Sequence, residues 1–139
     1  MVNNMNEFTE KDAKETLEKG YKKANILLSD KGKMNEFLER LEKKLKVIPL
    51  AGSTLVMIPT LVQMVKSYVK KEYTSIPVSS IIAIISALLY WLAPIDVIPD
   101  TIPGIGYLDD TSVIGFCLKL INNDLKKYKE WQEKNKIQS

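Results

Sequence analysis

Apolar positions in the first third of the chain recur at helical spacing. Leu17, Tyr21, Ala24 and Leu28 form one stripe and Met34, Phe37, Leu38, Leu41 and Leu45 a second, with Ser29-Asp30-Lys31-Gly32 between them. The positions outside the stripes carry acid-then-base pairs four residues apart, including Glu15/Lys19, Glu18/Lys22, Glu36/Arg40 and Glu39/Lys43, the favourable order on a helix. Two amphipathic helices are expected over residues 1–46, with charges satisfied within each helix. Lysines such as Lys43 and Lys44 are then expected to tolerate reversal without loss of the fold.

The pattern changes at Val47. No charge occurs from there to Val65, and Pro49, Gly52 and Pro59 interrupt the run. Pro59 suits a first helical turn, where its missing N–H is no loss, and Val62, Val65 and Val69 give the helix behind it one apolar face. Pro77 opens the next helix in the same way. That helix, IIAIISALLYWL at its centre, is apolar all round and should be the most buried element, stopped by Pro94. Ile114, Cys117, Leu118, Ile121, Leu125 and Tyr128 mark a last helix, with Asp109 as its N-cap, Leu108 and Val113 as a hydrophobic staple, and a charged tail from Lys126 to Lys136 expected to fray. The pattern therefore predicts an all-α chain of about five helices. Its N-terminal pair (1–46) packs on a hairpin of 77–92 and 109–125 within a helical region 47–131, and 132–139 form a charged tail.

Between the last two helices lies APIDVIPDTIPGIGYLDD. Pro94, Pro99 and Pro103 forbid a continuous helix, while its many isoleucines are too apolar for a free linker, so a rigid connector folded onto the core is expected. It is also the one-sided block of charge. Residues 96–110 hold four aspartates and no base, whereas residues 1–46 hold eleven bases and nine acids. Asp96, Asp100, Asp109 and Asp110 can be read as ligands of a hard cation, Mg²⁺ or Ca²⁺, with Gly104 and Gly106 admitting carbonyl oxygens. They can equally be read as local caps and turn formers. The spacing is not that of an EF-hand.

Composition removes most chemistry. The 139 residues contain no histidine and one cysteine, Cys117, which excludes His-based triads, an intramolecular disulfide and a zinc site of N and S ligands. No catalytic residue and no cofactor are assigned. An enzyme would have to be a metal-dependent hydrolase using the loop aspartates, and a non-enzymatic module is preferred. The net charge of +3 comes without an uncompensated basic patch in the sequence, so nucleic acid is not expected as a partner. The polar start, MVNNMNEFTEKDAKE, lacks a signal-like apolar core, and the lone cysteine fits a reducing compartment. A cytoplasmic or cytoplasmic membrane-associated protein is expected, not a secreted one.

The segments Pro94-Ile95-Asp96, Ile98-Pro99-Asp100, Ile102-Pro103 and Gly106-Tyr107-Leu108-Asp109-Asp110 resemble the signature of the YkvA-like bacterial family, a conserved domain of unknown function. The likeness extends to Tyr73, Pro77, Leu89 and Tyr90 upstream and to Asp124, Lys127, Tyr128 and Trp131 downstream. Ala93 and Thr101 depart from the usual pattern without touching an acidic position. The resemblance implies a small helical protein, often membrane-associated, with no established reaction.

Membrane contact is expected through the apolar helix 77–92. Tyr73 to Ile95 is 23 residues without a charge, enough to span. The return segment is not: Thr111 to Leu118 gives about 12 Å of uncharged helix against a hydrocarbon core of roughly 30 Å. A buried central helix, or peripheral attachment helped by Lys66, Lys70, Lys71 and the basic tail, satisfies the residues better. A protein partner or a homodimer is a further expectation.

Overall fold

Proline, glycine and side-chain caps set the helix boundaries in the computed structural model, which describes residues 10–50, 52–92 and 110–138. The helices are α1 (Glu10–Lys19), α2 (Tyr21–Leu28), α3 (Lys31–Val47), α4 (Gly52–Leu55), α5 (Ile58–Val69), α6 (Val78–Leu92), α7 (Asp110–Leu120) and α8 (Asn122–Gln138). Only single residues, Gly20 and Ile121, separate α1 from α2 and α7 from α8. Counted as continuous arms the described residues make six helices, not the five expected. The addition is the single turn α4, which starts at Gly52 in the left-handed region (φ 91°), a conformation glycine adopts without strain. The charged tail does not fray at Lys126 as expected, because α8 runs to Gln138.

The caps follow from the residues. The Asp30 carboxylate accepts the Lys33 N–H at 3.0 Å and opens α3. Pro59 lies in the first turn of α5, and the Pro77 carbonyl accepts the Ser80 and Ile81 N–H groups at the start of α6. At the end of α5 the Glu72 N–H bonds to the Ser67 carbonyl and the Lys71 N–H to the Tyr68 carbonyl. This is the Schellman arrangement, with Lys71 at φ 63° where glycine is the usual residue.

The core forms around α6. Ten of its fifteen residues are buried, from Ile81 through Trp91, including Ile84 and Leu88 with no exposure at all. α1 and α2 lie across α6 and α7, while α3 and α5 close another side. Leu17 and Ala24 from the first arm, Phe37 and Leu41 from α3, Leu61 and Val65 from α5, and Ile114, Cys117 and Tyr128 from the last arm share one hydrophobic core. The packing of the N-terminal pair on the α6–α7 hairpin is as the apolar stripes predict.

The charges are not distributed as predicted. Lys44 does not stand in solvent paired within its helix: its ammonium donates to the Trp91 carbonyl in the last turn of α6 and lies 4.5 Å from the centroid of the Trp91 ring. Carbonyls of a helix's last turn have no partner within the helix, and a lysine reaching from a neighbouring element supplies one. Two ion pairs also join helices distant in sequence, Lys66 with Glu42 at 2.6 Å and Lys119 with Glu10 at 2.5 Å.

Candidate functional site

The four candidate cation ligands fall at the junction of α6 and α7. Asp96, Asp100 and Asp109 lie outside the described residues, as do the Leu108 staple and the proline-rich connector. Asp110 is the first residue of α7. The described ends that flank the connector are firmly held. α6 and α7 pack against each other, α1 and α4 pack on α7, and Lys44 fixes the Trp91 carbonyl. Among the described residues no group of three or more acidic or cysteine side chains is placed to hold a metal ion.

At the opposite end of α6 the upstream and downstream positions noted in the sequence meet. The rings of Tyr73, Tyr128 and Trp131 form a cluster with centroids 5.0–5.6 Å apart, Tyr73 edge-on to Tyr128. The Tyr128 and Ser67 hydroxyls are 2.9 Å apart, and the Ser80 hydroxyl donates to the Asp124 carboxylate at 2.6 Å. Tyr73 and Ser80 precede or open α6, whereas Asp124, Tyr128 and Trp131 project from α8. The cluster therefore fastens the last arm to the entry of the central helix. Burial, reinforced by the nearby charges of Asp124 and Glu130, raises the Tyr73 pKa above the ordinary phenol value. Its phenol stays neutral at physiological pH, which fits a packing role.

Cys117 is fully buried, and burial pushes its thiol up to about 12. A thiolate is the nucleophilic form, so this side chain is chemically quiet at neutral pH.

Sequence reasoning missed a groove of about 620 Å³ between the first arm and α3. Leu27, Phe37 and Leu89 line it, together with Lys19, Lys22, Lys23, Lys33, Arg40 and one acid, Glu36. The i, i+4 pattern assigns Lys19, Lys22 and Arg40 to glutamates of their own helices. None of the three makes an ion pair among the described residues. The available signal was the spacing of Lys19, Lys22 and Ile26 beside Lys33, Phe37 and Arg40, which puts cations and apolar groups on the same faces of two consecutive helices.

Residues 80–116, from the start of α6 into α7, match the family model described as "Protein of unknown function (DUF1232)". The chain is also 35% identical over 75 residues to the "Uncharacterized membrane protein YkvA" of Bacillus subtilis (strain 168), covering 54% of this chain and 71% of that protein. An all-helical chain with this central hairpin belongs to the YkvA-like DUF1232 family. No solved structure matches it. Among the described residues, no helix is long and apolar enough to cross a membrane.

Proposed function

We propose that the chain is a non-enzymatic, membrane-proximal helical module that attaches peripherally to an anionic lipid surface, with its acidic proline-rich connector as the element that binds a cation or a partner. What carries the reading is the connection from α3 to α5. Val47, Ile48 and Val56 are 73, 41 and 54% exposed, three large apolar side chains within ten residues, and Lys43 and Lys46 stand exposed in the preceding turn. Single exposed apolar residues need no explanation, but three within ten residues, following two exposed cations in the sequence, have the composition of an interfacial anchor. α6 leaves little for lipid, since most of its surface is enclosed by other helices. Lys66 is also a poor headgroup ligand, because Glu42 neutralises it and is itself held below the usual carboxylate pKa by the hydrogen bond from Lys66. The relative from Bacillus subtilis bears the name of a membrane protein, which accords with attachment.

Co-sedimentation with vesicles tests this. Phosphatidylglycerol vesicles should retain the chain and phosphatidylcholine vesicles should not, and Val47→Asp with Ile48→Asp should release it while its melting temperature holds. Retention of the native chain through an alkaline carbonate wash would mean integral insertion, and no retention on either vesicle would end the proposal.

A further inference from the structure

Lys19 and Lys22 from the first arm and Lys33 and Arg40 from α3 line one groove, all four exposed and none in an ion pair among the described residues. Glu36 is the one acid among the groove's lining residues. Leu27, Phe37 and Leu89 also line it but are only 7, 3 and 3% exposed, so this surface offers solvent chiefly its charged side chains and Ile26, 44% exposed beside them.

The same face continues into the α3–α5 anchor. Lys33, Arg40 and Val47 follow one another at seven-residue steps within α3, and each such step returns to within about 20° of the same side of a helix. From Lys33 to Val47 the line runs about 21 Å at 1.5 Å per residue. Lys43, three residues after Arg40 and four before Val47, neighbours both and is exposed. Cations alone would suit any polyanion. Here the line of cations ends on an exposed valine and the groove carries an exposed isoleucine, whereas its one aromatic ring, Phe37, is buried and leaves no platform for a nucleic-acid base. Cations with protruding apolar side chains are the composition of a surface that meets anionic headgroups.

We infer that the groove side of the first arm and α3 lies against the same anionic bilayer as the anchor, with Lys19, Lys22, Lys33 and Arg40 meeting lipid phosphates and Ile26 as a second apolar foot. The inference rests on the attachment proposed above and adds which side of the chain faces the lipid. Each cation brought to an anionic surface strengthens binding roughly fivefold, so the four together contribute far more than any one of them.

The test measures partition of the full chain onto phosphatidylglycerol vesicles. Lys22→Gln with Arg40→Gln should lower it about twenty- to thirtyfold with the melting temperature unchanged. Lys126→Gln with Lys129→Gln removes the same charge from exposed positions of α8 and should lower it less than about threefold. Added salt should weaken the native chain more than the Lys22→Gln/Arg40→Gln chain, because it screens exposed charges. Should that variant fail to fold, an environment-sensitive fluorophore on Ile26→Cys gives a second reading: Cys117 is buried and stays unlabelled in the folded chain, and emission from position 26 should shift to the blue on vesicles. Retention of the native chain with no loss in the Lys22→Gln/Arg40→Gln variant would overturn this face and leave the anchor standing, and so would equal losses in the two double variants or unchanged emission at position 26. A DNA duplex bound more tightly than the vesicles through the same residues would also overturn it. No retention of the native chain would end both readings.

Discussion

Gly20 crosses the central helix directly over Ser86: a Cβ built on the glycine would lie 2.2 Å from the serine Oγ and 3.2 Å from its Cβ. Ser86 is fully buried, and its hydroxyl donates to the Leu17 carbonyl, one turn before the glycine. The backbone at Gly20 is ordinary right-handed helix (φ −89°), so close approach, not conformational freedom, is what selects glycine there.

Gly20→Ala should therefore destabilise the chain, although alanine is the better helix former. The overlap is with a buried side chain on a packed helix, which costs roughly 1–3 kcal/mol. Denaturant melts should show that loss, and Ser86→Ala in the same chain should recover part of it by removing the 2.2 Å contact. An alanine at position 20 that raised stability would mean that α1 and α6 separate easily.

Lys44 gives a second test. Changing it to Glu withdraws a hydrogen bond to the Trp91 carbonyl and puts a carboxylate against the acceptor end of α6. A charged hydrogen bond is worth roughly 1.5–3 kcal/mol and the stacked ring about 0.5–1 more. Lys43→Glu, one residue away and exposed, should change the melt by less than about 0.5 kcal/mol. Equal effects of the two reversals would show that the Trp91 contact contributes nothing.

These two residues show where the sequence is legible. α6 is readable because twelve consecutive apolar or small residues leave no polar face, and α3 because its stripe and its Asp30 cap agree. Gly20 sits in a charged helix where one glycine reads as tolerated, and only the Ser86 hydroxyl across the interface explains it. Lys44 has no acid three or four residues away, and nothing in its own segment points to a carbonyl 47 residues away. The basic groove was hidden for the same reason. Side chains four apart can pair, but tertiary packing decides whether they do. Of the acidic site, only the start of α7 at Asp110 falls among the described residues.

Lys71 holds a positive φ that costs an L-residue about 1–2 kcal/mol and glycine nothing. Its side chain is exposed. Lys71→Gly should stabilise the chain, by about 0.5–1 kcal/mol once glycine's larger unfolded entropy is counted. A lowered urea midpoint would show that the lysine side chain makes up for the strain.

Cys117 predicts a slope at alkaline pH. An unfolded thiol loses its proton near the ordinary value of 9.0, whereas the buried one holds it to about 12. The unfolded state is thus favoured progressively from pH 9 upward, and the stability present below pH 9 is lost as pH approaches 12. The buried-phenol shifts of Tyr21 and Tyr73 act in the same direction. Urea midpoints between pH 8 and 10.5 should fall less steeply in Cys117→Val than in the native chain. A thiol reagent should label the protein only at the rate of its unfolding, and rapid labelling at pH 8 would contradict the burial.

The acidic connector is decided by separating charge from shape. A cation held by Asp96, Asp100 and Asp109 or Asp110 stabilises the folded chain with occupancy, by about 2.7 kcal/mol at a hundredfold excess over its dissociation constant. Helix and turn caps give no such dependence. The melting temperature should rise in millimolar Ca²⁺ or Mg²⁺ relative to chelator, and Asp96→Asn or Asp100→Asn should abolish the rise. Asparagine caps helices and turns as well as aspartate but brings no negative charge, so the substitution removes the ligand and keeps the local geometry. The vesicle measurements are read in chelator, so the anchor and the cation site stay separable. Superimposable melts with metal and with chelator, together with native-like stability of both asparagine variants, would leave the aspartates as caps and remove the cation site and any hydrolase chemistry that depends on it.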